Sequence, residues 1–299
     1  MSTPGFSPRL WPTPERHARR GPTSAANHKR QTKETPTRRL IDANGIGLHV
    51  ADDGPRDGPP VVFAHALGCD LRIWDGVLPH LPPGLRLIRY DSRGHGLSDC
   101  PAGPYAMGAL VRDAEALLDA LELRDAVFVG LSIGGLVAQG LAVKRLDLLR
   151  AIVLSCTAAK IGTPALWQER IEMVKSGGPG ALLDGLMPRW FTKGFRDGPE
   201  ARMARNMVAR QPAEGYAGCC AAISGTDFYT PTSGLRLPCL GIAASEDGST
   251  PPDLVRETID LIPGARFELM RRAGHMAPVE QPEAFAALLS EFLRDIGHV

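Results

Sequence analysis

The chain has 299 residues, of which 43% are apolar and 22% charged, and its formal net charge is +1. That length is enough to bury a large core as one domain with an insertion, and the composition is ordinary for a globular protein. No apolar stretch is long enough to span a bilayer and the N-terminus carries no continuous apolar leader, which excludes a membrane-spanning or secreted reading and leaves a cytoplasmic protein as the expectation.

The charge is unevenly spread. Residues 1–39 hold nine Lys/Arg against two Asp/Glu and six prolines, without apolar periodicity. They read as a disordered basic tail. Scattered prolines speak against a targeting helix, and no aromatic residues accompany the charges in a nucleic-acid-binding pattern. Order is expected from Leu40. Asn44-Gly45 between two runs of roughly alternating polarity reads as an opening β-hairpin. Pro60 to Ala64 is an apolar strand ending at His65-Ala66-Leu67-Gly68, and the amide of Leu67 is a candidate oxyanion donor at that strand end. Asp70 to Leu81 reads as a first helix, with Trp74, Val77, Leu78 and Leu81 on one face, and Leu85 to Tyr90 as the next strand. In Asp91-Ser92-Arg93-Gly94-His95-Gly96-Leu97-Ser98, the glycines suit a tight turn and Asp91 and Arg93 are expected to pair.

A helix over Met107 to Leu121 leads into Val127-Phe128-Val129-Gly130-Leu131-Ser132-Ile133-Gly134-Gly135-Leu136. A β-branched run that ends in Gly-x-Ser-x-Gly and passes into a helical pattern is a nucleophile elbow, because Gly130 and Gly134 remove side chains where strand and helix approach closely. The amide of Ile133, at the first turn of the helix, is the other oxyanion candidate. The helix itself reads with Leu136, Val137, Leu141 and Val143 on its apolar face. After a strand over Leu148 to Ser155, the segment from Thr157 to Gly225 is helical in pattern, broken at Gly177-Gly178-Pro179-Gly180 and Asp197-Gly198-Pro199, and rich in Met and aromatic residues such as Trp167, Trp190 and Tyr216. The sheet resumes with Leu237 to Ala244, followed by Glu246-Asp247 and a helix starting at Thr250-Pro251-Pro252. Arg266 to Met270 is the last strand, and Ala273-Gly274-His275 precedes a final amphipathic helix. The six cysteines form no C-x-x-C pair, so reduced and mostly buried thiols are expected.

The elbow and the Asp91–Ser98 string resemble those of the α/β-hydrolases. The resemblance implies a mostly parallel central sheet flanked by helices, with residues 40–156 and 226–299 as core and 157–225 as an inserted helical cap. It also implies the chain order serine, acid, histidine, which selects Ser132, Asp247 and His275 and leaves His95 a structural role. Asp247 is preferred to Glu246 as the acid. Within the cap, Ser155-Cys156-Thr157-Ala158-Ala159-Lys160-Ile161-Gly162-Thr163, Trp167-Gln168-Glu169-Arg170-Ile171, Arg189-Trp190-Phe191-Thr192 and Glu214-Gly215-Tyr216-Ala217-Gly218-Cys219-Cys220 resemble the 3-oxoadipate enol-lactonases, a likeness that runs from about Gly45 to the end of the chain. It implies a serine hydrolase opening a small anionic lactone in aromatic catabolism, with neither cofactor nor metal and with no nucleic-acid or membrane partner. Trp167, Arg170, Arg189 and Trp190 are then the substrate-binding candidates, since a carboxylate needs a cation and the rings supply walls. A general esterase or cofactor-free perhydrolase would use the same three catalytic groups, and a non-catalytic binding homologue is the remoter alternative.

Overall fold

The computed structural model describes residues 37–299. The basic tail read at residues 1–39 therefore lies outside the described residues, except for its last three, which already belong to a strand. That strand, β1 (Thr37–Ala43), pairs antiparallel with β2 (Ile46–Asp53) across Asn44 and Gly45. Both turn residues have positive φ, 53° and 76°, as a two-residue hairpin turn that follows strand twist requires. β3 (Pro60–Ala64), β4 (Arg86–Tyr90), α1 (Met107–Ala120), β5 (Ala126–Leu131), α2 (Ile133–Lys144) and β6 (Leu149–Ser155) follow in α/β alternation. Four helices come next without a strand: α3 (Pro164–Gly177), α4 (Leu183–Trp190), α5 (Pro199–Arg210) and α6 (Ala213–Ser224). The short α7 (Tyr229–Ser233) precedes β7 (Cys239–Ala244), α8 (Pro252–Asp260), β8 (Arg266–Met270), α9 (Ala277–Glu280) and α10 (Pro282–Asp295).

The eight strands form one sheet in the order β1-β2-β4-β3-β5-β6-β7-β8, antiparallel at the β1–β2–β4 edge and parallel elsewhere. Every residue of β5 and β7 is buried, which is why these strands are continuous apolar runs rather than alternating ones. The chain runs outward from β3 to β4 and then returns to place β5 on the other side of β3. At that reversal the loops after β3 and β5 diverge and leave a crevice at the carboxyl ends of the strands. Leu67 and Ser132 follow those two strands.

Three local expectations are corrected. In place of a helix over Asp70 to Leu81 there are two short 3-10 turns, Leu71–Trp74 and Leu78–His80. Gly76 lowers helix stability between them, and Pro79 donates no backbone hydrogen bond. Asp91 and Arg93 do not pair with each other. Arg93 makes a two-pronged bond to Asp113 of α1 at 2.5 and 2.6 Å, while Asp91 holds His49 at 2.8 Å and accepts the amides of Leu71 and Leu97. Val143 is half exposed, on the outer side of α2. No helix among the described residues is long and apolar enough to cross a membrane, and all six cysteines are free thiols.

Candidate active site

Ser132 is the residue between β5 and α2, with φ 58° and ψ −115°. This is a sparsely populated conformation for a side-chain-bearing residue, and it persists only where the surroundings hold it. Here they do. The Ser132 amide donates to Ser155 O at 3.0 Å, and its carbonyl accepts from the Thr157 hydroxyl at 2.7 Å and from the Gly135 amide at 2.9 Å. A Cβ on Gly130 would run into the Gly134 backbone, and one on Gly134 into the Ala64 carbonyl. The two glycines thus let α2 start hard against β3 and β5. Ile133 is the first residue of α2, so its amide lies ahead of the helical hydrogen-bond ladder.

His275 and Asp247 come from the loops after β8 and β7. His275 Nδ1 lies 2.8 Å from Asp247 Oδ2, and the Asp247 side chain is fully buried. The other carboxylate oxygen accepts the amides of Ser249 at 2.7 Å and Thr250 at 2.9 Å, and the Thr250 hydroxyl donates to Oδ2 at 2.8 Å. Burial alone would raise the Asp247 pKa. The His275 charge and hydrogen bond, with the Thr250 and Ser249 amides, outweigh it and hold the carboxyl below its ordinary value. Glu246, by contrast, is exposed. Cys156 Sγ, Asp247 and His275 offer ligand atoms within 4.8 Å of one another, but the acid and imidazole are already committed to a mutual hydrogen bond.

Two further histidines brace the crevice. Nε2 of His65 accepts the Ser92 amide at 2.9 Å, and Nε2 of His95 accepts the Gly68 amide at 2.9 Å. A backbone amide can only donate, so each ring carries its proton on Nδ1, facing Ala66 O in one case and Arg93 O in the other. The loop holding Leu67 is thereby tied in both directions to the Asp91–Ser98 loop. Burial, then the neighbouring His65, lowers the His95 pKa to about 3, which makes it a fixed neutral acceptor. The end of α4 is a second brace. Arg189 exchanges hydrogen bonds with Gly248 at 2.8 and 3.1 Å, and Trp190 O accepts the Met276 amide at 3.2 Å, so one turn of helix touches the loops of both Asp247 and His275.

Leu67, Ser132, Trp167, Arg170, Arg189, Trp190 and His275 line a single cavity of about 230 Å³. Of the other sequence candidates, Asp247 stands behind His275 and Ile133 follows Ser132 at the start of α2, and neither is on the wall. Trp190 and His275 rings lie 6.2 Å apart, and the Arg170 guanidinium sits 4.9 Å over the Trp167 ring. Among the described residues, neither Arg170 nor Arg189 has a carboxylate oxygen within 4.0 Å. Burial and then the charge of Arg170 lower the Arg189 pKa, the signature of two cations sharing a half-enclosed space. A shallower depression of about 250 Å³ shares Leu166, Arg170 and Arg189 with the cavity, so the arginines stand at its mouth.

Some contributors escaped sequence reasoning. Thr250 was legible only as a helix start, although Asp-x-Ser-Thr is the spacing at which a carboxylate accepts the next backbone amides. Thr157 had no local signal. Tyr216, named from sequence only among the aromatic residues of the cap segment, lines the same cavity.

The model of the "Alpha/beta hydrolase family" matches residues 61–288. The chain belongs to that family. The hydrolase is also 35% identical, over 82% of its length and 92% of the relative's, to 3-oxoadipate enol-lactonase 2 of Acinetobacter baylyi, and 32% identical to 3-oxoadipate enol-lactonase 1 of the same organism over 86% and 97%. Among solved structures it is similar to the enol-lactonase from Burkholderia xenovorans LB400, with a TM-score of 0.83 and 35% identity over 86% of this hydrolase and all of that chain.

Proposed function

We propose that this hydrolase opens a small enol-lactone bearing a carboxylate, of the 3-oxoadipate enol-lactone type, through a serine-bound acyl intermediate. The observation that carries the reading is the pair of guanidiniums of Arg170 and Arg189, without acidic partners among the described residues, on the wall of the cavity that also holds Ser132 and His275. Arginine stays protonated, so two such charges in a half-buried site repel, and an anion between them offsets that cost. The likeness to enol-lactonases in sequence and structure supports the same substrate class.

In this mechanism His275 Nε2 takes the proton from Ser132 Oγ as the oxygen attacks the ring carbonyl. Asp247, bonded to Nδ1, fixes the tautomer and stabilises the imidazolium. The amides of Ile133 and Leu67 hold the oxyanion, and the brace formed by His95 on Gly68 keeps the second donor in register. Collapse breaks the ring C–O bond, and His275 returns the proton to the departing enol oxygen, which becomes a ketone. Water, activated by His275 in turn, then releases the acid from Ser132. Because an enol is a better leaving group than an alkoxide, binding of the substrate's carboxylate governs selectivity more than chemistry does.

The test follows loss of ultraviolet absorbance of freshly generated enol-lactone beside hydrolysis of a neutral aryl ester. Neutralising the cap arginine that binds the carboxylate, with Arg170→Gln and Arg189→Gln made separately, raises KM for the lactone by roughly 10 to 100-fold and spares the aryl ester. Equal losses on both substrates for both arginines would return the chain to a general esterase. A folded Ser132→Ala protein that retained near-normal turnover would end the mechanism.

A further inference from the structure

Tyr216, in the first turns of α6, is wholly buried; the Arg170 guanidinium approaches its phenolic oxygen, but the O–H itself has no acceptor among the described residues. A buried hydroxyl without a partner costs on the order of 1–3 kcal/mol, so such groups are usually paired or kept for a ligand. The ring lines the cavity of Ser132 and His275. It packs against the loop after β3, because Gly68, at φ 81°, carries no side chain; a Cβ there would come within 2.8 Å of Tyr216 Cε2 and 3.1 Å of Val208 Cγ2. The ring centroid of His95 lies 6.4 Å away, and its Nε2 is already used by Gly68, so the imidazole offers the phenol nothing. Burial raises the phenol's pKa, opposed by the charge of Arg170 and by its approach to the phenolic oxygen, and the group is a neutral donor at working pH.

We infer that Tyr216 is a specificity-determining residue, whose hydroxyl donates to the substrate's carboxylate on the side facing Arg170, so that the anion is held by one neutral donor as well as by guanidinium. This rests on the proposed anionic substrate and adds to it a residue that no charge pattern would reveal. A carboxylate accepts several hydrogen bonds at once, and a donor that is already buried needs no further desolvation to serve it. A carboxylate oxygen satisfies this O–H more strongly than a neutral carbonyl does.

The experiment compares wild type with Tyr216→Phe, which removes one O–H that no acceptor among the described residues uses. Melting in the absence of ligand is expected to be unchanged or higher, so folding is not at risk. Adipate, a linear dicarboxylate, is the probe: it raises wild-type Tm and competitively inhibits hydrolysis of a neutral aryl ester, whereas adipamide does neither. In Tyr216→Phe the adipate inhibition constant and the KM for the enol-lactone each rise about ten-fold or more, the loss of one hydrogen bond to a charged group, with aryl-ester kcat/KM within two-fold of wild type. Combined with Arg170→Gln, the loss is smaller than the product of the two separate losses, because both contact one anion. Undiminished adipate binding and lactone KM in Tyr216→Phe overturn the inference. A wild-type enzyme that ignores the lactone while Tyr216→Phe still loses adipate overturns the lactone reading and leaves the carboxylate contact standing.

Discussion

Replacing Asp247 by Asn isolates what the carboxylate does, because the surroundings dictate how the amide must sit. Oδ1 accepts the backbone amides of Ser249 and Thr250, which can only donate, so the Asn oxygen must take that position. The amide nitrogen then replaces Oδ2 and points a hydrogen at His275 Nδ1. Imidazole answers by accepting at Nδ1 and carrying its proton on Nε2, the nitrogen that has to receive the Ser132 proton. The side chain is nearly isosteric, and the Thr250 hydroxyl can turn to accept from the new amide. The protein therefore folds while its base holds the wrong tautomer. The corresponding change in a serine protease lowers turnover by about 10⁴, or ~5 kcal/mol of barrier, and the same order is expected here. Stopped-assay kcat on the lactone, with far-ultraviolet dichroism and Tm as folding controls, measures it; the exposed Glu246→Gln provides the silent reference. A well-folded Asp247→Asn enzyme within ten-fold of wild type would refute the tautomer argument.

Gly134→Ala drives a Cβ into the Ala64 carbonyl, and is expected to lower stability by a few kcal/mol and to misplace Ser132; urea unfolding and kcat read the two effects. His95 titrates at 6.5 unfolded but at about 3 folded. The unfolded chain therefore binds the extra proton between those values, and stability falls as pH drops through that window, by roughly 2 kcal/mol between pH 6.5 and pH 5. Urea curves at pH 7.5 and 5 test this, and His95→Gln, whose carbonyl can still accept the Gly68 amide, should flatten the difference. A chain beginning at Thr37, the first residue of β1, is expected to match the full chain in Tm and kcat; a drop in either would show that residues 1–36 contribute to the folded body.

Much of this molecule is legible in one sequence because its chemistry sits at strand ends, and buried parallel strands are conspicuous. β5 and β7 are uninterrupted apolar runs, so Ser132 and Asp247 are found by looking just past them. What stayed hidden is long-range pairing. The Asp91–Arg93 expectation failed because the partners, His49 and Asp113, lie 42 and 20 positions away, and nothing local distinguishes an in-loop ion pair from one reaching to another element. The 3-10 turns after β3 were mistaken for a helix because Trp74, Val77 and Leu81 do recur at helical spacing; Gly76 and Pro79 were the signals to weigh more heavily. Tyr216 could not be singled out, since an unpaired hydroxyl is a property of surroundings and not of spacing.

The order of strands across the sheet also bears on how the chain is made. From β5 onward each strand lies next to its predecessor in the sequence, so this half of the sheet grows by one edge at a time. When Leu149–Ser155 of β6 leaves the ribosome it docks on β5 and presents a bare, apolar outer edge. β7, which covers that edge, emerges only after α3 to α7 have been synthesised. At roughly 5–20 residues per second the exposure lasts several seconds, long enough for an unpaired strand to recruit a strand from another nascent chain. Ribosome-stalled chains ending within α5 should therefore be poorly soluble and good clients for chaperones, whereas chains extended through β8 should be released folded. The same schedule delays His275 until nearly the whole protein has been made, so under the proposed mechanism Ser132 gains its base only at the end of synthesis.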